Sequence, residues 1–176
     1  MKYSISIPLN NKALKIAKEC QVRLDKFVGI NSIMKNNSDP HINLFSGTTN
    51  NIDKIVHNIR NIKFYNEKYI KLLGLGVFLT PKPLLYLRFS RSPFVALLRN
   101  HLITHTFHLW KTLSSSVNEE IWTPKCTLAY YDLSLDKLSD ALICLDGMSL
   151  RYTMEIKELT IIDFTEKERQ IDIISF

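Results

Sequence analysis

Pro40-His41-Ile42-Asn43-Leu44 and Pro124-Lys125-Cys126-Thr127-Leu128 are the two stretches on which the reading of this chain turns. Nearly half of the 176-residue chain separates them. Each starts at a proline and then alternates polar and apolar residues, the pattern of a strand with one buried face. Residues two apart in a strand share a face, so His41, Asn43 and Phe45 project together from the first, and Lys125, Thr127 and Tyr131 from the second. If the two strands lie side by side, an imidazole faces an ammonium, with Asn43 and Thr127 adding hydrogen-bond donors. That set suits a phosphate: one group to move protons, one positive charge, and neutral donors for the non-bridging oxygens. Spacing alone leaves two unrelated edge strands as the commoner explanation.

Outward from these stretches the apolar period changes repeatedly. Tyr3 to Leu9 reads as a strand, and Lys12 to Val28 as a helix capped by Asn10 or Asn11. His41 to Ser46 is a strand closed by Gly47, and a helix over about 51–62 follows. Tyr69 to Phe78 and Leu84 to Arg91 form strands around Pro81-Lys82-Pro83, since proline cannot donate to a central ladder. Ser92-Pro93 opens the longest helix, expected to reach about Ser114 with Val95, Leu98, Leu102, Leu109 and Leu113 on its apolar face. Lys125 to Tyr131 is a strand and Leu135 to Cys144 a short helix. Tyr152 to Ile162 and Gln170 to Phe176 are strands separated by the charged turn Thr165-Glu166-Lys167-Glu168-Arg169. This order nearly repeats itself once and fits an α+β protein.

The ordered segments resemble the 2H phosphoesterase superfamily, in particular its 2'-5' RNA ligase-like (cyclic phosphodiesterase-like) branch. Pro40-His41-Ile42-Asn43-Leu44-Phe45-Ser46-Gly47 is similar to the family's first His-containing strand, and Pro124-Lys125-Cys126-Thr127-Leu128-Ala129 to its second, with Lys125 in the histidine's place. Gly74-Leu75-Gly76-Val77-Phe78 and Leu84-Leu85-Tyr86-Leu87 are similar to the hairpin between the motifs. The resemblance implies one domain over 1–176 with a bilobal fold: two antiparallel sheets related by a pseudo-twofold, outer helices and a central cleft. It implies a metal-independent, cofactor-free phosphodiesterase or 2'-5' RNA ligase-like activity, with His41, Lys125, Asn43 and Thr127 in the catalytic set. Asn43 replaces a Thr or Ser, and its amide can still donate to a phosphate oxygen. Lysine keeps its proton at neutral pH, so Lys125 can clamp a phosphate or donate a proton but is a poor base. Two outcomes follow: His41 as base with Lys125 as acid, or a site that only binds.

Composition and the remaining motifs narrow the setting. Hydrophobic residues make up 45% and charged residues 23%, which excludes a disordered or coiled-coil chain. The net charge of +6 is uneven: residues 1–99 carry 16 basic and 5 acidic side chains, a net of +11. Such a basic half would concentrate phosphate-bearing ligands, though a solvated basic face is the commoner reading; RNA ends, oligonucleotides or small cyclic nucleotides are the ligands the resemblance implies, with a small cyclic-nucleotide phosphodiesterase ranked third. Phe45, Tyr131, Tyr86 and Arg88 are the candidates to touch bases beside the phosphate. Cys20, Cys126 and Cys144 form no disulfide or zinc pattern and read as reduced thiols of a cytoplasmic protein. The longest apolar run, Leu72 to Leu79, is too short to span a membrane, and the protein is expected to be a monomer. His101, His105 and His108 share the polar stripe of the long helix with Lys111 and are read as a solvated face rather than a metal site.

Overall fold

The computed structural model describes residues 1–36, 39–63, 68–114, 122–165 and 168–175. Strand β1 (Lys2–Pro8) is buried along almost its whole length. Its Tyr3, Ile5 and Ile7 enter the core, while Ser4 and Ser6 on the other face bond each other, Oγ to Oγ at 3.2 Å. A strand buried on both faces belongs at the middle of a sheet. β1 accordingly sits third in a five-stranded antiparallel sheet of order β5-β2-β1-β8-β9, with β2 spanning His41–Thr48, β5 Thr112–Leu113, β8 Glu158–Asp163 and β9 Arg169–Ser175. A second, four-stranded antiparallel sheet has the order β6-β4-β3-β7, built from β3 (Tyr69–Phe78), β4 (Leu84–Phe89), β6 (Lys125–Ala129) and β7 (Tyr152–Glu155). Among the described residues four α-helices complete the α+β architecture: α1 (Asn11–Val28), α2 (Ile52–Arg60), α3 (Pro93–Thr106) and α4 (Leu138–Ile143). Two antiparallel sheets with helices are what the sequence leads one to expect.

Three local departures from the periodicity have clear causes. The strand expected over Tyr152–Ile162 is two strands, because the chain changes sheets at Ile156-Lys157: β7 pairs with β3 and β8 with β1. Helix α3 starts where Ser92 and Pro93 place it, with Ser92 Oγ accepting from the Val95 amide, but it ends at Thr106 rather than near Ser114. There the Thr106 hydroxyl donates to the Leu102 carbonyl and accepts from Trp110 Nε1, and a single 3-10 turn leads into β5, which pairs with Gly47 and Thr48. Asn10 stands at the start of α1 but does not cap it with its side chain; its amide donates to the Glu155 carbonyl, tying the helix start to β7.

A fourth departure shapes the site. Strand β2 carries a bulge: Ile5 faces Phe45 and Ser6 faces Asn43, so Leu44 is an extra residue. The alternation therefore slips by one. His41 and Asn43 share a face, but both Leu44 and Phe45 are fully buried. Phe45 is thus a core residue rather than a neighbour of His41 and Asn43 on the exposed face, and its ring meets Trp110 edge-on at 5.6 Å. The Leu44 carbonyl accepts from Nε of Arg99, which is 1% exposed, and the Asn43 carbonyl accepts from Trp122 Nε1. The Arg99 guanidinium lies over the Trp122 ring, 4.7 Å from its centre. We expect Phe45→Ala to destabilise the fold by about 3–5 kcal/mol in chemical denaturation, the cost of an emptied aromatic core position; a cost under about 1 kcal/mol would return Phe45 to the surface.

Candidate functional site

The bulge leaves the first half of β2 beside β6, the edge strand of the second sheet, and the two strands make direct contact. Between them opens a cleft of about 230 Å³ whose walls include His41, Asn43, Lys125 and Thr127. The four residues picked out by the two sequence stretches thus share one cavity. Tyr131 is also in its wall, two-thirds exposed. Tyr86 and Arg88 lie one strand further, on β4, where they pair with Thr127 and Lys125 in the ladder. The Tyr86 ring is 6% exposed, packed over Gly76 and against Phe78 at 4.8 Å between ring centres, so it supports the cleft from behind rather than facing into it. Arg88 is exposed and stands outside the cleft wall.

The orientation of His41 is set by its own loop. Its Nδ1 donates to the Asp39 carbonyl at 2.9 Å, which fixes the proton on Nδ1 and leaves the Nε2 lone pair on the other side of the ring. Nε2 lies 3.8 Å from a carboxylate oxygen of Glu168. Both side chains are largely covered, at 17% and 14% exposure. Burial lowers the His41 pKa below its ordinary 6.5, with the Asp39 carbonyl and the Glu168 charge acting in the opposite direction. The ring is therefore mainly neutral at pH 7, the state a proton acceptor needs.

Lys125 is positioned differently. Its ammonium sits above the Phe78 ring, 5.3 Å from the centre, and burial lowers its pKa from 10.5. Desolvation loosens its proton. Between Lys125 and Thr127, Cys126 is buried, and burial pushes its thiol up to about 12, so it stays protonated and inert. Asn43 Oδ1 is buried with no hydrogen-bond partner among the described residues. A half-turn of the amide puts Nδ2 in that place, so the position can offer a ligand either an acceptor or a donor.

Glu168 is the site residue that sequence reasoning missed, taken only as part of a charged turn. Asp163, at the end of β8, accepts from the Thr165 amide at 2.8 Å and from the Arg169 guanidinium at 3.3 Å, holding the turn at both ends. Glu168, just before β9, is thereby carried to His41, and Asn36 Nδ2 steadies its other oxygen at 2.8 Å. No local pattern could have shown this, because the contact joins the last strand pair to β2. Among the described residues no group of three His, Cys, Asp or Glu side chains is placed to hold a metal ion, and no helix is long and apolar enough to cross a membrane.

No family model matches the sequence, and no curated protein matches it significantly. Solved structures do match over the whole length. TT0787 of Thermus thermophilus superposes with a TM-score of 0.64 at 14% identity, covering 99% of this chain and 97% of the other. LigT of E. coli, complexed with 3'-AMP, gives 0.61 at 12% identity over 99% and 97%. Usb1 of Kluyveromyces marxianus, with uridine monophosphate, gives 0.50 at 10% over 99% and 98%. The chain has the 2H phosphoesterase fold. In this chain the strand that faces the His41 strand across the cleft begins at Lys125.

We expect the His41 imidazole to titrate below pH 6.5 by NMR. Glu168→Gln should move it lower still, because the carboxylate is one of the groups that favour the protonated ring. A His41 pKa above 6.5, or an upward shift in the variant, would contradict the arrangement described.

Proposed function

We propose that the protein is a phosphodiesterase acting on 2'-linked or 2',3'-cyclic phosphates of RNA ends or oligonucleotides, with His41 as base and Lys125 as acid and phosphate clamp. The observation that carries this reading is that a neutral imidazole and a desolvated ammonium share one cleft in a 2H fold. Each can perform one half of a displacement at phosphorus. In hydrolysis of a 2',3'-cyclic phosphate, His41 Nε2 takes a proton from water as the water oxygen bonds to phosphorus. The bond from phosphorus to one ribose oxygen breaks, and Lys125 gives that oxygen a proton. Asn43 and Thr127 hold the non-bridging oxygens, and the Glu168 carboxylate, 3.8 Å from Nε2, stabilises the imidazolium that forms. The charge of residues 1–99 draws anionic ligands in. LigT with 3'-AMP and Usb1 with uridine monophosphate support a nucleotide as the ligand class.

A second reading, a binding module without turnover, is favoured by one observation: Lys125 cannot alternate between acid and base as an imidazole can. Incubation with 2',3'-cyclic nucleotides and 2'-5' oligoadenylate in excess EDTA separates the two. Turnover that persists supports the enzyme, saturable binding without product supports the module, and activity that needs an added divalent ion overturns the proposed mechanism.

His41→Ala should lower turnover roughly 10²- to 10⁴-fold without altering the fold. Lys125→His should raise cyclic-phosphate hydrolysis, or create it where the natural protein is silent. The pH dependence of kcat/KM carries the signs of both shifts. The base must be neutral, so the acid limb lies below pH 6.5; the acid must be charged, so the alkaline limb lies below pH 10.5. Neither substitution affecting binding or turnover would refute the proposed role of the cleft.

A further inference from the structure

We propose that a groove beside the cleft is a nucleobase subsite read by Gln21, with adenine the base it fits. The proposal rests on the phosphate reading of the cleft and extends it. Gln21 lies on the inward face of α1, 6% exposed, and its side chain is in the wall of both the cleft and an adjoining groove of about 340 Å³. That volume falls at the lower end of the range of about 300–1,000 Å³ found for small-molecule sites.

The Gln21 amide makes no hydrogen bond among the described residues. The other buried polar and charged side chains there all make one, from Ser4 and Ser6 bonding each other to Arg99 on the Leu44 carbonyl. Asn43 Oδ1 is the sealed, unpartnered side-chain atom among the described residues, so the Gln21 amide, without a protein partner, keeps access to the cavities it lines and is available to a ligand. It is aimed into a space that continues from the proposed phosphate position.

The rest of the groove suits an aromatic ring. Val22 and Met34 contribute an isopropyl group and a thioether, and sulfur packs favourably against rings. The segment carrying Ile33 and Met34 is held in place from the other side of the cleft. Asp132, just beyond β6, accepts from the Asn31 and Ser32 amides, each at 2.8 Å, and from the Ser32 hydroxyl. The groove is therefore preformed, which spares a ligand the cost of ordering it. A primary amide presents a donor beside an acceptor, and adenine presents the complementary pair in its N6–H and N7. Single-stranded RNA exposes this edge, whereas an A-form RNA duplex hides it in a deep, narrow groove.

The test is calorimetric titration of the purified protein with inorganic phosphate, 3'-AMP and 3'-UMP. The natural protein should prefer 3'-AMP over both phosphate and 3'-UMP, and Gln21→Leu should cut that preference about tenfold, the worth of one two-point base contact. Met34→Glu, at a position 40% exposed and so tolerant of change, should cut it too. It carries the test if the buried substitution does not fold. If the natural protein binds phosphate and 3'-AMP, and His41→Ala weakens both, while neither groove variant changes the preference, the subsite is wrong and the cleft stands. If it binds none of the three ligands, the phosphate reading falls and the subsite with it.

Discussion

The bulge at Leu44 is the constraint on which the site depends. A regular β2 would keep His41, Asn43 and Phe45 on one face, and either the cleft would gain a phenyl ring or the core would lose one. With one residue inserted, the polar pair faces β6 and Phe45 packs on Trp110. The insertion turns two carbonyls of the strand toward side-chain donors, and Arg99 and Trp122 satisfy them. A guanidinium 1% exposed is an expensive device, tolerable because its Nε is hydrogen-bonded and its face lies on an indole. In return α3 and Trp122, which precedes β6, are fastened to Leu44 and Asn43, the bulged residue and its neighbour in the cleft wall. The strand that holds His41 and the segment leading to Lys125 are thus locked together through Asn43 and Trp122.

Much of this was legible in the sequence, and what was not has identifiable physical reasons. Proline followed by alternation marks β2 and β6, and Ser92-Pro93 marks the start of α3, because these signals are local. The meeting of His41 and Lys125 in one cleft was suggested by the half-chain repeat and carried by the family resemblance, since spacing alone favoured two unrelated edge strands. The bulge was not, since Ile42-Asn43-Leu44-Phe45 alternates as well as a regular strand, and only the pairing with β1 shows the slip. The end of α3 was also hidden: Leu109 and Leu113 continue the helical period, but Thr106 and Trp110 bond each other and turn the chain into β5. The change of sheet at Ile156-Lys157 interrupts an otherwise uniform strand pattern for a tertiary reason alone. Glu168 and Gln21 carry no signature, because what each does is decided by residues far away in sequence.

Lys125 changes the logic of the cleft, not only its composition. Two imidazoles near pH 6.5 can exchange roles, so a symmetric pair serves a reaction in both directions. Burial lowers both groups, the imidazole from 6.5 and the ammonium from 10.5, so in the proposed reaction each is given one direction of proton transfer. Their difference makes the two halves of the fold chemically unequal even where the strands match.

That inequality gives Glu168 its importance. A lone imidazole receiving a proton beside an ammonium would gather two positive charges in a small, poorly solvated space, and low polarity magnifies the repulsion. In the proposed reaction a carboxylate on the Nε2 side would restore the balance in the step that creates the imidazolium, and the Asn36 hydrogen bond steadies that carboxylate. The same carboxylate would oppose a phosphate entering the cleft, so on the proposed reading the positive charge of Lys125 has to prevail. In the proposed reaction the lysine at 125 and the turn that brings in one carboxylate therefore act on a single electrostatic quantity, the charge the cleft bears before and after the proton moves.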